Sequence, residues 1–316
     1  MDDQKKKELL TLLKKSAEEI KKAVIGKDSV IDTVLMTILT KGHILLEDIP
    51  GVGKTTLAVA LSKVTSLKFS RIQFTPDVMP SDVTGYNVYN RATGTFDFRE
   101  GAVFCNLLLA DELNRTSGKT QSALLEAMEE KAVTVDGVTR ILPEPFIVIA
   151  SQNPTGYVGT QLLPESQLDR FAVRLSLGYP ETAAETKILK LKSSGNGAEP
   201  ETVLHEGDIL TMRKYVEDIF CDDRIYAYIA QLGAMTRSNG RLALGLSTRG
   251  TLSVCALSKA AAFFAGRGFV LPEDIKRVWE HAVSHRIILE PKAKAAGDTS
   301  KSVAADILRA ATPPKL

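Results

Sequence analysis

Apolar residues return at helical spacing from the start of the chain. Leu9, Leu12, Leu13, Ala17 and Ile20 recur every three or four residues with Lys and Glu between them, which predicts an amphipathic helix with a solvated charged face. Val30, Ile31, Val34, Leu35 and Ile38 predict a second helix. The period then changes. His43-Ile-Leu-Leu-Glu47 is a short apolar run that predicts a buried strand, with a glycine-rich turn directly after it. Residues 69–74, 106–110 and 146–150 are further apolar runs of strand length, separated by helical stretches up to about Tyr179. Strand alternating with helix predicts an α/β fold: a parallel sheet with helices on both faces.

Two segments interrupt the alternation. Residues 95–104 follow a turn at Gly94, and residues 132–142 carry Asp136-Gly137 between two strand-like halves, a hairpin signal. Both are expected to decorate the sheet. Residues 193–200, Ser-Ser-Gly-Asn-Gly-Ala-Glu-Pro, lack apolar periodicity and read as a linker. Beyond them come helical patterns around 210–220, 225–236 and 251–265. A further helix begins near Pro272 and places Ile275, Val278, Trp279, Ala282 and Val283 on one side. The expectation is an α/β core over 1–192 and an all-helical unit over 201–316; from Lys292 the pattern is too mixed to assign.

Composition narrows the classes. With 44% hydrophobic residues over 316 positions, the chain can bury a sizeable core and is not disordered as a whole. Lys plus Arg number 40 against 38 Asp plus Glu, so no basic excess argues for a nucleic-acid partner. Cys105, Cys221 and Cys255 stand far apart, which suggests neither a disulfide framework nor a thiolate zinc site, and fits a reducing compartment. The richest apolar stretch, 256–271, is cut by Lys259 and Arg267, so no membrane span is expected. With no signal-peptide pattern at the N-terminus, a cytoplasmic location is expected.

The candidate chemistry sits at strand ends. Between the first strand and a helix lie Asp48, Ile49, Pro50, Gly51, Val52, Gly53, Lys54, Thr55 and Thr56, the setting of a phosphate-binding loop. Backbone N–H groups at a helix N-terminus attract phosphate, Lys54 can reach the β- and γ-phosphates, and Thr55 can ligate Mg²⁺. The generic spacing wants glycine where this chain has Asp48. Asn106-Leu-Leu-Leu-Ala-Asp-Glu112 is an apolar strand ending in two acids; Asp111 can hold Mg²⁺ and Glu112 can orient and deprotonate a water. Asn153, after the 146–150 run, can hydrogen-bond that water or the γ-phosphate. His281 and His285 stand at i, i+4 without the intervening Glu of a metalloprotease helix, and a solvated helix face is expected.

In this order the pieces resemble the AAA+ ATPases, and within them the MoxR family. The resemblance is carried by residues 43–55, Ala110-Asp-Glu-Leu-Asn-Arg115, residues 119–130, Ser151-Gln-Asn-Pro154, residues 163–171 and Leu246-Ser-Thr-Arg249, and spans nearly the whole chain. It implies a P-loop core with a helical lid, nucleotide between them, and ATP and Mg²⁺ as cofactors. It also implies roles: Gly51 to Thr55 as Walker A, Asp111 and Glu112 as Walker B, Asn153 as sensor 1, Arg170 as an arginine finger for a neighbouring subunit, and Arg249 as sensor 2. The family's Ser-Pro-Arg reads Ser-Thr-Arg here. Residues 95–104 resemble the helix-2 insert and 132–142 the pre-sensor-1 hairpin, elements that face the pore or partner in such rings. A homo-hexameric ring, a von Willebrand factor A domain partner and chaperone-like remodelling or metal-centre assembly of a protein client follow from the resemblance alone. A magnesium-chelatase-type subunit and a non-hydrolysing nucleotide-binding scaffold stay open as alternatives, as does action of Arg249 in cis or in trans.

Overall fold

The structure, a computed structural model, describes residues 3–153, 163–193 and 199–315. Pro154 and positions 194–198 of the expected linker lie outside them. Helix α1 (Asp3–Ala23) buries Leu9, Leu13, Ala17 and Ile20, while Lys21 and Glu18 pair along its polar side at 2.8 Å. Helix α2 (Asp28–Leu39) is apolar on nearly all sides. Such a helix must be covered all round.

Five strands, β1 (Ile44–Glu47), β2 (Phe69–Gln73), β5 (Leu107–Asp111), β8 (Ile147–Gln152) and β9 (Val173–Leu175), form one parallel sheet in the order β2-β5-β8-β1-β9. Ile44 registers with Ile149 on one side and Val173 on the other. Alternation sends Ile44, Leu46, Leu109 and Ile149 to one face, against α3 (Lys54–Thr65) and the N-terminal helices. Leu45, Leu108, Ala110 and Val148 go to the other face, under α4 (Pro80–Thr84) and α5 (Gly118–Glu130). Strand β2 was expected to be buried, but it forms the edge of the sheet and its side chains are half-buried or exposed.

The first insertion begins earlier than its sequence suggests. It is a hairpin of β3 (Gly85–Asn90) and β4 (Thr95–Glu100), whose largely exposed faces give β3 no apolar alternation to read. The second pairs β6 (Ala132–Val135) with β7 (Val138–Ile141) around Asp136 (φ 50°) and Gly137 (φ 77°), the left-handed pair of a tight hairpin turn. The hairpins lean together: Asn87 Nδ2 donates to Asp136 at 2.7 Å and the Arg140 guanidinium lies 3.8 Å from the Phe98 ring centre.

Short α6 (Glu165–Leu168) precedes β9, and α7 (Thr182–Ser193) follows it. The C-terminal unit contains α8 (Glu206–Glu217), α9 (Asp223–Arg237), α10 (Thr248–Phe264), α11 (Pro272–Val283), α12 (Pro291–Ala295) and α13 (Ser300–Ala310). It is not all-helical: β10 (Leu242–Leu244) pairs antiparallel with β11 (Ile288–Leu289), both too short to leave a period in the sequence. The unassigned tail forms α13, capped by Thr299 and tied in by Trp279 Nε1 donating to Ala304 O at 2.8 Å. One apolar cluster runs from α1, α2 and α3 into α8–α11 and α13. Helix α2 is thus covered by α1 on one side and by α8 and α10 on the other.

Candidate functional site

The turns after β1, β5, β8 and β9 meet at the carboxyl ends of the strands, where open parallel sheets bind ligands. Gly51 (φ 87°) and Gly53 (φ 98°) hold left-handed conformations, and a Cβ on either would meet nothing within 4 Å, so the loop keeps open space above its backbone. Lys54 opens α3. Its ammonium is buried and donates to Asp48 O at 2.7 Å, Ile49 O at 3.3 Å and Asn153 Oδ1 at 3.4 Å. Burial pulls it below the ordinary lysine range, against the charges of Asp48, Asp111 and Glu112.

Asp48 turns out to brace the loop. Its buried carboxylate accepts from Ser176 Oγ at 2.8 Å, Leu177 N at 2.5 Å and Gly178 N at 3.0 Å, tying the loop to the exit of β9. A glycine could not do this. Thus the residue that breaks the generic spacing has a fold-specific use, and only its main-chain oxygen faces Lys54.

At the end of β5, Asp111 Oδ1 accepts from Ser151 Oγ at 2.5 Å and Oδ2 from Arg71 at 2.9 Å. Glu112 follows with φ 56°, a conformation uncommon outside glycine and of the kind held at functional sites. Its Oε2 accepts from Arg115 at 2.7 Å and its Oε1 from Asn153 Nδ2 at 3.1 Å. Burial would raise this carboxyl, but the Arg115 and Asn153 hydrogen bonds and the Arg115 charge prevail and hold it below the usual carboxylate range. Asn153 therefore touches Lys54 and Glu112 at once. Asn114 fixes it in turn, Nδ2 donating to Asn153 O at 3.1 Å and Oδ1 accepting from Asn153 N at 3.4 Å. No sequence motif marks Arg71; Asn114 and Arg115 stand inside Ala110-Asp-Glu-Leu-Asn-Arg115, whose spacing alone gives them no part.

The oxygen donors of Thr55 and Asp111 suit a hard cation such as Mg²⁺, and the loop's N–H groups with Lys54 suit phosphate. Beside Thr55 and Thr56 opens a cavity of about 540 Å³, walled by Ala23, Ile25, Val59 and Ile188. Its lining ends at Pro200, so among the described residues the unit beyond 201 contributes nothing to it.

Arg170 and Arg249 lie elsewhere. Ala172 N donates to His43 O at 2.9 Å and Val173 pairs with Ile44, so Arg170 precedes the amino end of β9, whereas the phosphate loop follows the carboxyl end of β1. The two are at opposite ends of the sheet. Arg249, in the first turn of α10, joins Arg170 there: both ion-pair with Glu129, at 2.5 Å and 2.8 Å. Adjacent Asp169 binds Arg286, whose side chain is 2% exposed and which also donates to Ala172 O at 3.0 Å and Ser253 Oγ at 3.1 Å.

The histidines need a correction too. His285 is buried and its Nε2 donates to Phe171 O at 2.9 Å, and His281 is half-buried, so they form no solvated face. Past α11 the chain meets the approach to β9, where His285 and Arg286 bond Phe171 O and Ala172 O. His43 accepts from Val148 N at 3.0 Å through Nδ1, and burial lowers its pKa to about 4. No cluster of His, Cys, Asp and Glu among the described residues could hold a metal ion by itself, and no described helix is long and apolar enough to cross a membrane.

Comparison with known proteins places this geometry. Residues 43–173 match the model of the ATPase family associated with various cellular activities, AAA, and residues 234–308 that of the AAA lid domain. The uncharacterized protein YeaC of Bacillus subtilis is 43% identical over 97% of this chain and 96% of its own. Chaperone MoxR1 of Mycobacterium tuberculosis is 36% identical over 88% of this chain and 76% of its own. A crystal structure of a candidate ATPase from Cytophaga hutchinsonii superposes with a TM-score of 0.92 at 38% identity, covering 99% of this chain and 98% of that one.

Proposed function

The chain belongs to the MoxR family of AAA+ ATPases, and from that premise we propose that it hydrolyses ATP with Mg²⁺ to drive chaperone-like remodelling or assembly of a protein client. The observation that carries this reading is the buried Lys54–Asn153–Glu112 connection, which joins a phosphate-binding cation to an ionised carboxylate through one amide. Residues 1–192 act as the nucleotide-binding core and 201–316 as the lid.

In this reading Lys54 exchanges the carbonyls of Asp48 and Ile49 for the β- and γ-phosphate oxygens. Asn153 aims a water held by Glu112. That water's oxygen bonds to the γ-phosphorus, the bond to the bridging oxygen breaks, ADP and phosphate leave, and Glu112 takes the proton. Glu112, held below the usual carboxylate range by its hydrogen bonds to Arg115 and Asn153, is ionised at neutral pH. Thr55 and Asp111 hold Mg²⁺, which neutralises charge on the phosphate oxygens. The apolar wall of Ala23, Ile25 and Ile188 suits the base.

Arg170 and Arg249, at the far end of the sheet, complete the site of a neighbouring subunit in a homo-hexameric ring. A planar fork stabilises charge spread over the transferring phosphoryl oxygens, and here two forks arrive together. A von Willebrand factor A domain protein is the expected partner and the cytoplasm the expected location. Likeness to MoxR1 over most of its length favours this reading over a chelatase subunit.

The test is phosphate release. Wild type should show Mg²⁺-dependent turnover when assembled, and Glu112→Gln should lose about 10²–10⁴-fold while still binding ATP. A wild-type chain that assembles yet releases no phosphate leaves only the non-hydrolysing scaffold.

A further inference from the structure

Glu129, at the C-terminal end of α5, divides its carboxylate between two guanidinium groups: Oε2 accepts from Arg170 Nε at 2.8 Å and Oε1 from Arg249 at 2.5 Å. One arginine comes from the turn before β9, the other from α10. Side by side they would repel, and a single anion joins them. Asp169, the next carboxylate, is already held by buried Arg286 at 2.8 Å and by Ser247 Oγ at 3.0 Å, so it cannot take that place. The side chains of Glu129, Arg170 and Arg249 are 36%, 31% and 47% exposed, so water screens these two ion pairs and they can exchange.

We propose that Glu129 is an internal stand-in for the γ-phosphate. In the unassembled subunit it holds both arginines together and partly neutralised. In the ring they transfer to the γ-phosphate of the neighbour's ATP, which offers more oxygens and more charge than one carboxylate. ADP has no γ-phosphate to displace it, so with ADP the arginines stay on Glu129, and with ATP the subunit contact forms only by giving up these two ion pairs. A ligand shifts such an equilibrium only by its differential affinity for the two states, and here that difference is the γ-phosphate against Glu129. The inference rests on the reading that Arg170 and Arg249 act in a neighbour's site. It makes Glu129 a positioning residue that competes with substrate.

The experiment measures the protein concentration at which half the subunits assemble, by light scattering, with AMP-PNP and with ADP. Glu129→Gln removes the charge and keeps the size. It should assemble with AMP-PNP at a concentration about three- to tenfold lower than wild type, the scale of two exposed ion pairs. With ADP its midpoint should stay within about twofold of wild type, because the arginines have no γ-phosphate to reach. An AMP-PNP midpoint that is unchanged or higher overturns the proposal, and so does an equal shift with both nucleotides. Arg170→Ala separates the two levels. Should it assemble and hydrolyse ATP as wild type does, the in-trans reading falls and the stand-in with it; should it fail while Glu129→Gln changes nothing, only the stand-in falls.

Discussion

The two ends of the central sheet carry the same kinds of charged side chain and treat them differently. At the carboxyl end, Lys54, Asp111, Glu112 and Asn153 are mostly buried: Lys54 and Glu112 meet through Asn153, Lys54 also holds backbone carbonyls, and Asp111 is held by Ser151 and Arg71. At the amino end, Arg170 and Arg249 are partly exposed and, among the described residues, joined through Glu129. Low local dielectric makes the first arrangement rigid and prepared for a ligand. Solvent screening makes the second exchangeable. One end is a closed network and the other an open one, which in the proposed reading a second copy of the chain turns into part of its own site.

Removing Arg170 should separate the ends most sharply. Arg170→Ala is expected to lower turnover of the assembled protein by about 10³–10⁵-fold while an isolated subunit still binds nucleotide, measured by phosphate release and by fluorescent-nucleotide titration. Lys54→Ala should lose the binding itself, and equal binding losses in the two variants would erase the distinction between the ends.

Next in size is Arg286→Ala, which strips a buried partner from Asp169 and should destabilise the protein by about 3–5 kcal/mol in chemical denaturation. A loss near zero would mean that the turn bearing Arg170 is not anchored to the lid through this residue.

A smaller effect comes from acid. His43 has its pKa lowered to about 4 by burial, from an ordinary value near 6.5, so the unfolded chain takes up its proton first as pH falls. Stability is therefore whole above about pH 6.5 and declines toward pH 4, by about 3 kcal/mol in all from this group. His285, pushed down in the same direction by burial and by Arg286, adds to the decline. Replacing His43 with Gln should flatten the pH dependence of denaturation midpoints between 4 and 6.5; an unchanged slope would contradict the assignment.

How much of this could be read in advance differs between the ends. The phosphate loop, the Asp111-Glu112 strand end and Asn153 were legible because each lies at the end of an apolar run, where a short motif and its element appear together in sequence. The Asp136-Gly137 hairpin was legible for a similar local reason, two residues that tolerate left-handed backbone. Asp48 was read as part of the loop, but its partners Ser176, Leu177 and Gly178 are brought to it only by the pairing of β9 with β1. Strand β3 gave no signal because neither of its faces is buried. The buried state of His285 gave none because its partner Phe171 comes from the approach to β9, far away in the chain.

Sequence by itself determined the local chemistry of this protein: which turns can cradle phosphate, which strand ends carry acids, and which helices have an apolar face. These depend on neighbours a few residues apart. Tertiary structure decided where the arginines go. Glu129, Arg170, Arg249 and Arg286 are drawn from α5, the approach to β9, α10 and the segment after α11, and no local periodicity relates them. Packing of the lid on α2 and at the amino end of the sheet brings them together. Charge acts through space, so which charges meet is settled only when the fold closes.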